Sequence, residues 1–278
     1  MTKNIAFLLT VHNRKEKTFN CLISLFEQNV LSDYQYDVFL TDDGCTDGTV
    51  EMIRKHFPSV RIISGNGKLY WNRGMWTAWK AAEATNNDYD YIFWLNDDVV
   101  LFKDALKHII ECSEEKHDNS IISGIMRDPI DCTLTTFSGT TNGQILKRNG
   151  EMQELEYMHG NFVLIPQTVY KSIGIIDGYY SHAGGDGDYS MTAIKNGFKV
   201  YTTKDFCGKC KLDTPVPQCF KIETPIFKRF MILYTPLSYS MPKEIFYFDC
   251  KHKNIFIAIM HVVSVHIRCL FPKLWLKR

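Results

Sequence analysis

The sequence predicts an α/β protein with a mostly parallel central sheet flanked by helices and a helical C-terminal appendage. Three observations carry this expectation. Short apolar runs alternate with helix-periodic stretches through the first 115 residues, the pattern of βαβ units joined by right-handed crossovers. Two of those runs end in paired carboxylates, Asp42-Asp43 and Asp97-Asp98. Charge is divided along the chain: residues 221–278 hold ten Lys/Arg and three Asp/Glu (+7), while the other 220 residues hold 22 and 28 (−6).

Taken in order, Asn4–Val11 is apolar and reads as a first buried strand. A helix is expected from about Arg14 to Gln28, because Phe19, Leu22, Ile23 and Phe26 fall on one face. Asp37–Thr41 is the second strand and runs into Asp42-Asp43-Gly44. The next helix, capped from Thr46 or Asp47, turns Val50, Ile53 and Phe57 inward and stops before Pro58. Val60–Ser64 is strand three, followed by a Gly65-Asn66-Gly67 turn. A helix opening near Asn72 carries Met75, Ala78, Trp79 and Ala82 inward. Tyr91–Leu95 is strand four, and Phe102, Ala105, Leu106, Ile109 and Ile110 mark another amphipathic helix.

Beyond this point the alternation breaks down. Ser120–Met126 reads as a strand, and residues 127–158 are turn-rich, suited to hairpins or a mobile insert. Phe162–Ile165 is a short strand, and Gln167–Ile173 a short helix stopped by Gly174. The segment from His182 to Asp188 reads as irregular because of its glycines, with a helix opening at Asp188 or Tyr189 and closing at Asn196-Gly197. Phe198–Thr202 is the last strand.

With 45% hydrophobic and 23% charged residues the composition is that of an ordinary globular protein, and no nucleic acid is expected as a partner. Nine scattered cysteines fit reduced thiols in the cytoplasm, and Cys207-x-x-Cys210, with no second pair or nearby His, reads as loop cysteines rather than a zinc site. The apolar run near the N-terminus lacks a signal-peptide cleavage site and is better explained as a strand.

In open α/β sheets, ligands bind outside the carboxyl ends of the strands. Two acidic strand ends on that edge are a candidate site. Adjacent carboxylates repel and favour a cation, and a hard ion such as Mg²⁺ or Mn²⁺ takes one or two carboxylates and completes its shell with substrate phosphates. The other pair can accept the N3–H of a uracil or thymine ring or a ribose hydroxyl. A sugar nucleotide offers all these groups together.

The motifs Leu9-Thr10-Val11-His12-Asn13-Arg14, Thr41–Thr49, Asn96-Asp97-Asp98 and Gly185-Asp186-Gly187-Asp188-Tyr189 occur in an order that resembles family 2 glycosyltransferases with the GT-A fold. Gly67–Met75 is similar to a rhamnosyltransferase-like branch, and the resemblance spans about residues 4–205. It implies Thr10, Val11 and Asn13 around the nucleoside, and Asp42 or Asp43 on the base or ribose. Asp98 is implied as the metal ligand for Mg²⁺ or Mn²⁺, with Asp97 on the ribose or donor sugar. Asn72 and Arg73 open a helix facing the same edge, with Arg73 placed for the diphosphate. Asp186 is the implied general base of an inverting transfer, Asp188 orients its loop or binds acceptor, and His159 and Asn161 line the acceptor side. Thr192 stands where members often have Arg, and Thr203–Cys210 lacks the His that many GT-A enzymes add as a metal ligand.

These readings divide the chain into a catalytic domain, 1–220, and a basic amphipathic region, 221–278. In the latter, Phe256, Ile259, Met260, Val263, Ile267 and Leu270 form an apolar face too short to span a bilayer. A helix lying in the membrane interface is expected, with Phe271, Trp275, Lys277 and Arg278 as anchors. The whole reads as a cytoplasmic enzyme on the inner face of the cell membrane, using a nucleotide-sugar donor and a glycan or lipid-linked acceptor. A sugar-nucleotide nucleotidyltransferase is disfavoured because Thr10–Lys15 has no glycine, and a catalytically degenerate glycan-binding scaffold is the non-enzymatic alternative.

Overall fold

The computed structural model describes residues 2–29, 34–212 and 216–274. Chain order is β1 (Lys3–Val11), α1 (Lys15–Phe26), β2 (Tyr34–Asp42), α2 (Thr49–His56), β3 (Arg61–Ser64), α3 (Tyr70–Glu83), β4 (Tyr91–Leu95), β5 (Val100–Leu101) and α4 (Ala105–Glu115). Then come β6 (Ser120–Arg127), β7 (Thr135–Phe137), β8 (Gly139–Thr141), β9 (Gln144–Ile145), β10 (Tyr157–Met158), β11 (Phe162–Pro166), α5 (Gln167–Ile173), α6 (Gly185–Lys195) and β12 (Lys199–Lys209). The C-terminal region adds α7 (Ile226–Leu233), α8 (Pro242–His252) and α9 (Ile255–Leu270).

The main sheet runs β3-β2-β1-β4-β11-β6-β12-β5, with β7 beside β6. Its first half, β3-β2-β1-β4, is parallel, as the βαβ alternation requires. Beyond β4 the sheet is mixed. Strand β11 is antiparallel to both β4 and β6, and only the β6–β12 ladder restores parallel pairing. Residues 127–158 supply hairpin strands, β8 pairing with β9 and β10 in a small second sheet.

Strand β4 is buried along its whole length, which is why its sequence is a continuous apolar run rather than an alternating one. Phe93 and Leu95 face the core shared with α1, α2 and α4. Ile92 and Trp94 face the second core, where Trp79 of α3 lies edge-on to Trp94 with ring centroids 6.0 Å apart. In α2, Met52 and Ile53 are buried while Val50 is only half-buried, so Met52 takes the inward position expected of Val50.

The glycine-rich segment is helical earlier than its composition suggests. Gly184 adopts φ +92° and α6 begins at Gly185, with Asp186 and Asp188 in its first turn, where carboxylates favour the positive helix end. A Cβ on Gly185 would meet the Asn72 side chain, so the glycine is what lets α6 approach α3. Cys207 lies in β12 and Cys210 directly follows that strand, both buried, so neither is an exposed loop thiol. Because Trp79 is 1% exposed at the centre of the second core, Trp79→Ala is expected to cost about 3–5 kcal/mol, read as a lower urea midpoint with the same fold by circular dichroism.

Candidate active site

Strands β2 and β4 flank β1 in parallel, so Asp42-Asp43 and Asp97-Asp98 emerge at the same sheet edge. The two pairs are used differently. Asp43 is 4% exposed, and its Oδ1 accepts from the Gly67 amide at 2.8 Å while Oδ2 accepts from the Leu69 and Tyr70 amides, both at 2.9 Å. A carboxylate under the first turn of α3 satisfies donors that no helical carbonyl can reach and opposes the helix dipole. Asp43 therefore anchors the 67–70 loop. Asp42 is half-buried and accepts from the Cys45 amide at 2.8 Å.

Asp97 and Asp98 open onto a cleft of about 320 Å³, together with Trp71, Asn96, Asn161 and Asp186. The guanidinium of Arg14 lies between the two carboxylates, its Nη1 donating to Asp97 Oδ1 and Asp98 Oδ2 at 3.1 Å each. Thr18 Oγ1 donates to Asp97 Oδ2. Burial pushes the Asp97 carboxyl up to about 6, Arg14 pulls it down, and neighbouring Asp98 adds to the rise. On the cleft floor Trp71 Nε1 donates to Asn96 Oδ1 at 2.7 Å, and the Asn96 amide donates to the Asn161 carbonyl at 2.9 Å. Cys210 Sγ is 3.7 Å from Asp98 Oδ1 and also 3.7 Å from Asn161 Nδ2, and burial beside Asp98 keeps the thiol protonated.

Asp186 sits in the first turn of α6, Oδ1 accepting from Gly187 N at 2.9 Å and Oδ2 from Gly160 N at 3.3 Å. Gly160 leaves room here, since a Cβ would strike Trp71. His159 lies behind this wall, its Nδ1 accepting from the Ser138 amide at 3.3 Å and its ring edge-on to Phe137. Burial lowers its pKa, with Asp186 pulling the other way.

Other expected site residues make contacts within the protein. Asn72 is fully buried and donates to the Asp177 and Tyr180 carbonyls at 2.7 and 2.9 Å. Arg73 donates to the carbonyls of Gly178 and Tyr179 rather than facing the cleft, because the 177–181 loop passes over that side of α3. Thr10, Val11 and Asn13 lie at the edge but outside the cleft lining; Val11 accepts from the Asp43 amide, and Asn13, at φ +50°, accepts from the Thr46 amide at 2.7 Å.

Asp188, expected either to orient its loop or to bind acceptor, lies outside the cleft lining. It is 2% exposed and bonded to Tyr180 Oη at 2.9 Å, Lys251 Nζ at 2.8 Å and His252 Nε2 at 2.7 Å. It fastens α6 to α8 from inside the protein.

The cleft also holds residues that sequence reasoning did not single out: Lys17, His182, Lys211 and Tyr239. Tyr239 comes from the loop between α7 and α8, at φ +54°, and its ring lies 4.9 Å from that of His182. The C-terminal region thus closes part of the cleft. Arg14, present in the first motif, carried a readable signal: a cation placed next to a strand neighbouring two acidic ends.

Residues 7–174, more than half of the chain, match the glycosyl transferase family 2 domain. The chain belongs to glycosyl transferase family 2. A relative from Bacillus subtilis (strain 168), the uncharacterized glycosyltransferase YfnE, is 26% identical over 168 residues, 56% of this chain and 41% of that protein. The aligned part is thus less than half the length of that relative. Among solved structures, the Pyrobaculum calidifontis mannosyltransferase PcManGT, in complex with GDP-Man and Mn²⁺, superposes with TM-score 0.58 at 11% identity, covering 95% of this chain and 74% of that one. S. aureus TarS matches with TM-score 0.57 at 13% identity over 84% of this chain and 42% of that one. TarS 1–349 in complex with UDP-GlcNAc gives 0.57 at 12%, over 96% and 72%. The family 2 chain has the mixed α/β GT-A fold of these enzymes.

Two expectations follow from the charges. The folded state holds the Asp97 proton more tightly than the unfolded one, so this group's contribution to stability falls as pH rises from about 4 to 6 and stays low above. Asp97→Asn should therefore raise the thermal midpoint at pH 7, with the gain shrinking towards pH 4. Asp188→Ala removes the hydrogen bonds to Tyr180 and the buried His252 and leaves Lys251 to Asp177 alone, and should cost about 1–3 kcal/mol in denaturant unfolding.

Proposed function

We propose that this family 2 glycosyltransferase moves a hexosyl or rhamnosyl unit, with inversion, from a UDP- or dTDP-sugar to a hydroxyl of a glycan or lipid-linked saccharide in surface-polysaccharide synthesis. The observation that carries this reading is the cleft itself: Asp97 and Asp98 from the end of β4 and Asp186 from α6 line one cavity. An inverting displacement needs such an arrangement, with leaving-group charge handled at one wall and a base at another.

Asp186 has no cationic partner among its described hydrogen bonds; two backbone amides orient it. It takes the proton of the acceptor hydroxyl as that oxygen attacks the anomeric carbon, while the anomeric bond to the nucleotide breaks on the opposite face. Trp71 and Tyr239 offer aromatic surface for sugar rings, and Asn96 and Asn161 offer amides for their hydroxyls. A second cavity of about 160 Å³ shares Ala183, Gly184 and Tyr239 with the cleft and is lined by Tyr180, Met241, Ile245 and Phe248. Its aromatic and apolar walls suit the acceptor.

The donor set suits a hard divalent ion that arrives with a diphosphate. Asp98 is the more exposed carboxylate, 24% against 7% for Asp97, and Mg²⁺ commonly binds through one or two carboxylates plus phosphate oxygens. Among the described residues no group of three or more His, Cys, Asp or Glu side chains forms a ready-made cage. Asp98 would hold the ion with Asp97 behind it, and the ion would supply charge neutralisation on the departing diphosphate. Arg14 and Lys17 line the same cleft and can meet phosphate oxygens directly.

The test is nucleotide release with UDP- and dTDP-sugars in the presence of Mn²⁺. Asp186→Asn should lower turnover by about 10²–10⁴-fold with the donor dissociation constant nearly unchanged. Asp98→Ala should weaken Mn²⁺-dependent donor binding in calorimetry. Release by neither wild type nor variants would return the chain to a binding role, and conversion of the sugar nucleotide to a nucleoside triphosphate and sugar 1-phosphate on adding pyrophosphate would make it a nucleotidyltransferase.

A further inference from the structure

Helix α9 is apolar nearly all the way round, yet it buries only a thin stripe: Ala258, Val265 and Cys269. Those three positions fall within one narrow sector of the helix. The opposite side carries Phe256, Met260, Val263, Ile267, Leu270 and, just beyond the helix, Phe271. These are exposed by 75%, 68%, 46%, 46%, 38% and 57%. The polar residues His261, His266 and Arg268 lie to the flanks and leave the centre of the face without charge. Helix α7 packs against α9 through Leu233 and likewise presents Phe227 at 76% and Met231 at 60% to solvent. A helix hydrophobic on both faces belongs in an interior, and an exposed apolar surface of this extent marks a docking face.

We propose that the outer faces of α9 and α7 dock on the surface of an anionic lipid bilayer. The charge of the segment selects this occupant. Residues 221–278 carry +7, and Lys228, Lys243 and Lys273 are exposed among the described residues. A second copy of the chain would bring the same positive charge against it, whereas anionic headgroups complement it. Length decides the mode: α9 has 16 residues, and no helix among the described residues is long and apolar enough to cross a membrane. The helices therefore lie in the headgroup region with their apolar faces inward. Trp275, Lys277 and Arg278, expected as anchors, lie outside the described residues.

The experiment is co-sedimentation of the full chain with vesicles of pure phosphatidylcholine or of phosphatidylcholine with 30% phosphatidylglycerol, beside light scattering for mass in solution. Wild type should partition at least tenfold more strongly onto the anionic vesicles. Met260→Glu with Ile267→Glu, both on the exposed face, should lose at least tenfold of that binding, and Lys228→Glu with Lys243→Glu and Lys273→Glu should abolish the preference for anionic lipid. Circular dichroism and a thermal midpoint near wild type establish that the variants fold. Equal binding by wild type and the Met260/Ile267 variant, equal binding to both vesicle types, or a soluble dimer that the Met260/Ile267 variant dissolves would each overturn the proposal. None of these readouts requires donor turnover, so the result is independent of the proposed reaction.

Discussion

Two carboxylates side by side at the end of a fully buried strand have to be compensated, and the rest of the site is arranged around that need. Strand β4 delivers Asp97 and Asp98 from the middle of the sheet, where neither is fully solvated. The compensation comes from the neighbouring strand, since the loop after β1 supplies Arg14 to both carboxylates. The guanidinium is half-exposed, so it holds the pair without sealing it, and the cleft remains open to a ligand of opposite demands. The diphosphate and counter-ion proposed above would be such a ligand, with negative charge for Arg14 and positive charge for the carboxylates.

The other acidic pair illustrates how much of a binding site is backbone engineering. Asp43 spends both oxygens on three amides of the loop leading into α3. That loop in turn carries Trp71 into the cleft and Asn72 into the interior, where Asn72 ties down the 177–181 segment. The same segment leads into Gly184 and the start of α6, so Asp43 and Asp186 belong to one continuous set of constraints although they lie 143 residues apart in sequence.

The parallel half of the sheet was legible because each of its strands is a compact apolar run bounded by carboxylates, glycines or proline. Tyr91–Leu95 and Gln167–Ile173 appear with the expected bounds, the one set by burial on both faces and the other by Pro166 and Gly174. The antiparallel insertion of β11 was not legible, since strand direction within a sheet leaves no mark on a five-residue apolar run. The early start of α6 was hidden because glycine disfavours helices on average, and tertiary packing against Asn72 overrides that average. At the candidate site, residue type pointed to the sheet edge where the cleft lies but did not fix the contacts each carboxylate makes. Asp188 and Asp186 look alike in sequence. What separates them is Lys251 and His252, more than sixty positions downstream, whose approach depends on the whole fold.

The C-terminal helices cannot be regarded as a detachable handle. Asp188 is gripped by α8 and lies in the same first turn of α6 as Asp186; Glu244 of α8 accepts from both the amide and the hydroxyl of Ser181, and Tyr239 closes the cleft against His182. Cutting the chain near residue 220 would strip Lys251 and His252 from a buried acid and release the turn that carries Asp186. Conversely, anything that presses on the outer helices leans, through that fastening, on the carboxylate of Asp186 in the wall of the cleft.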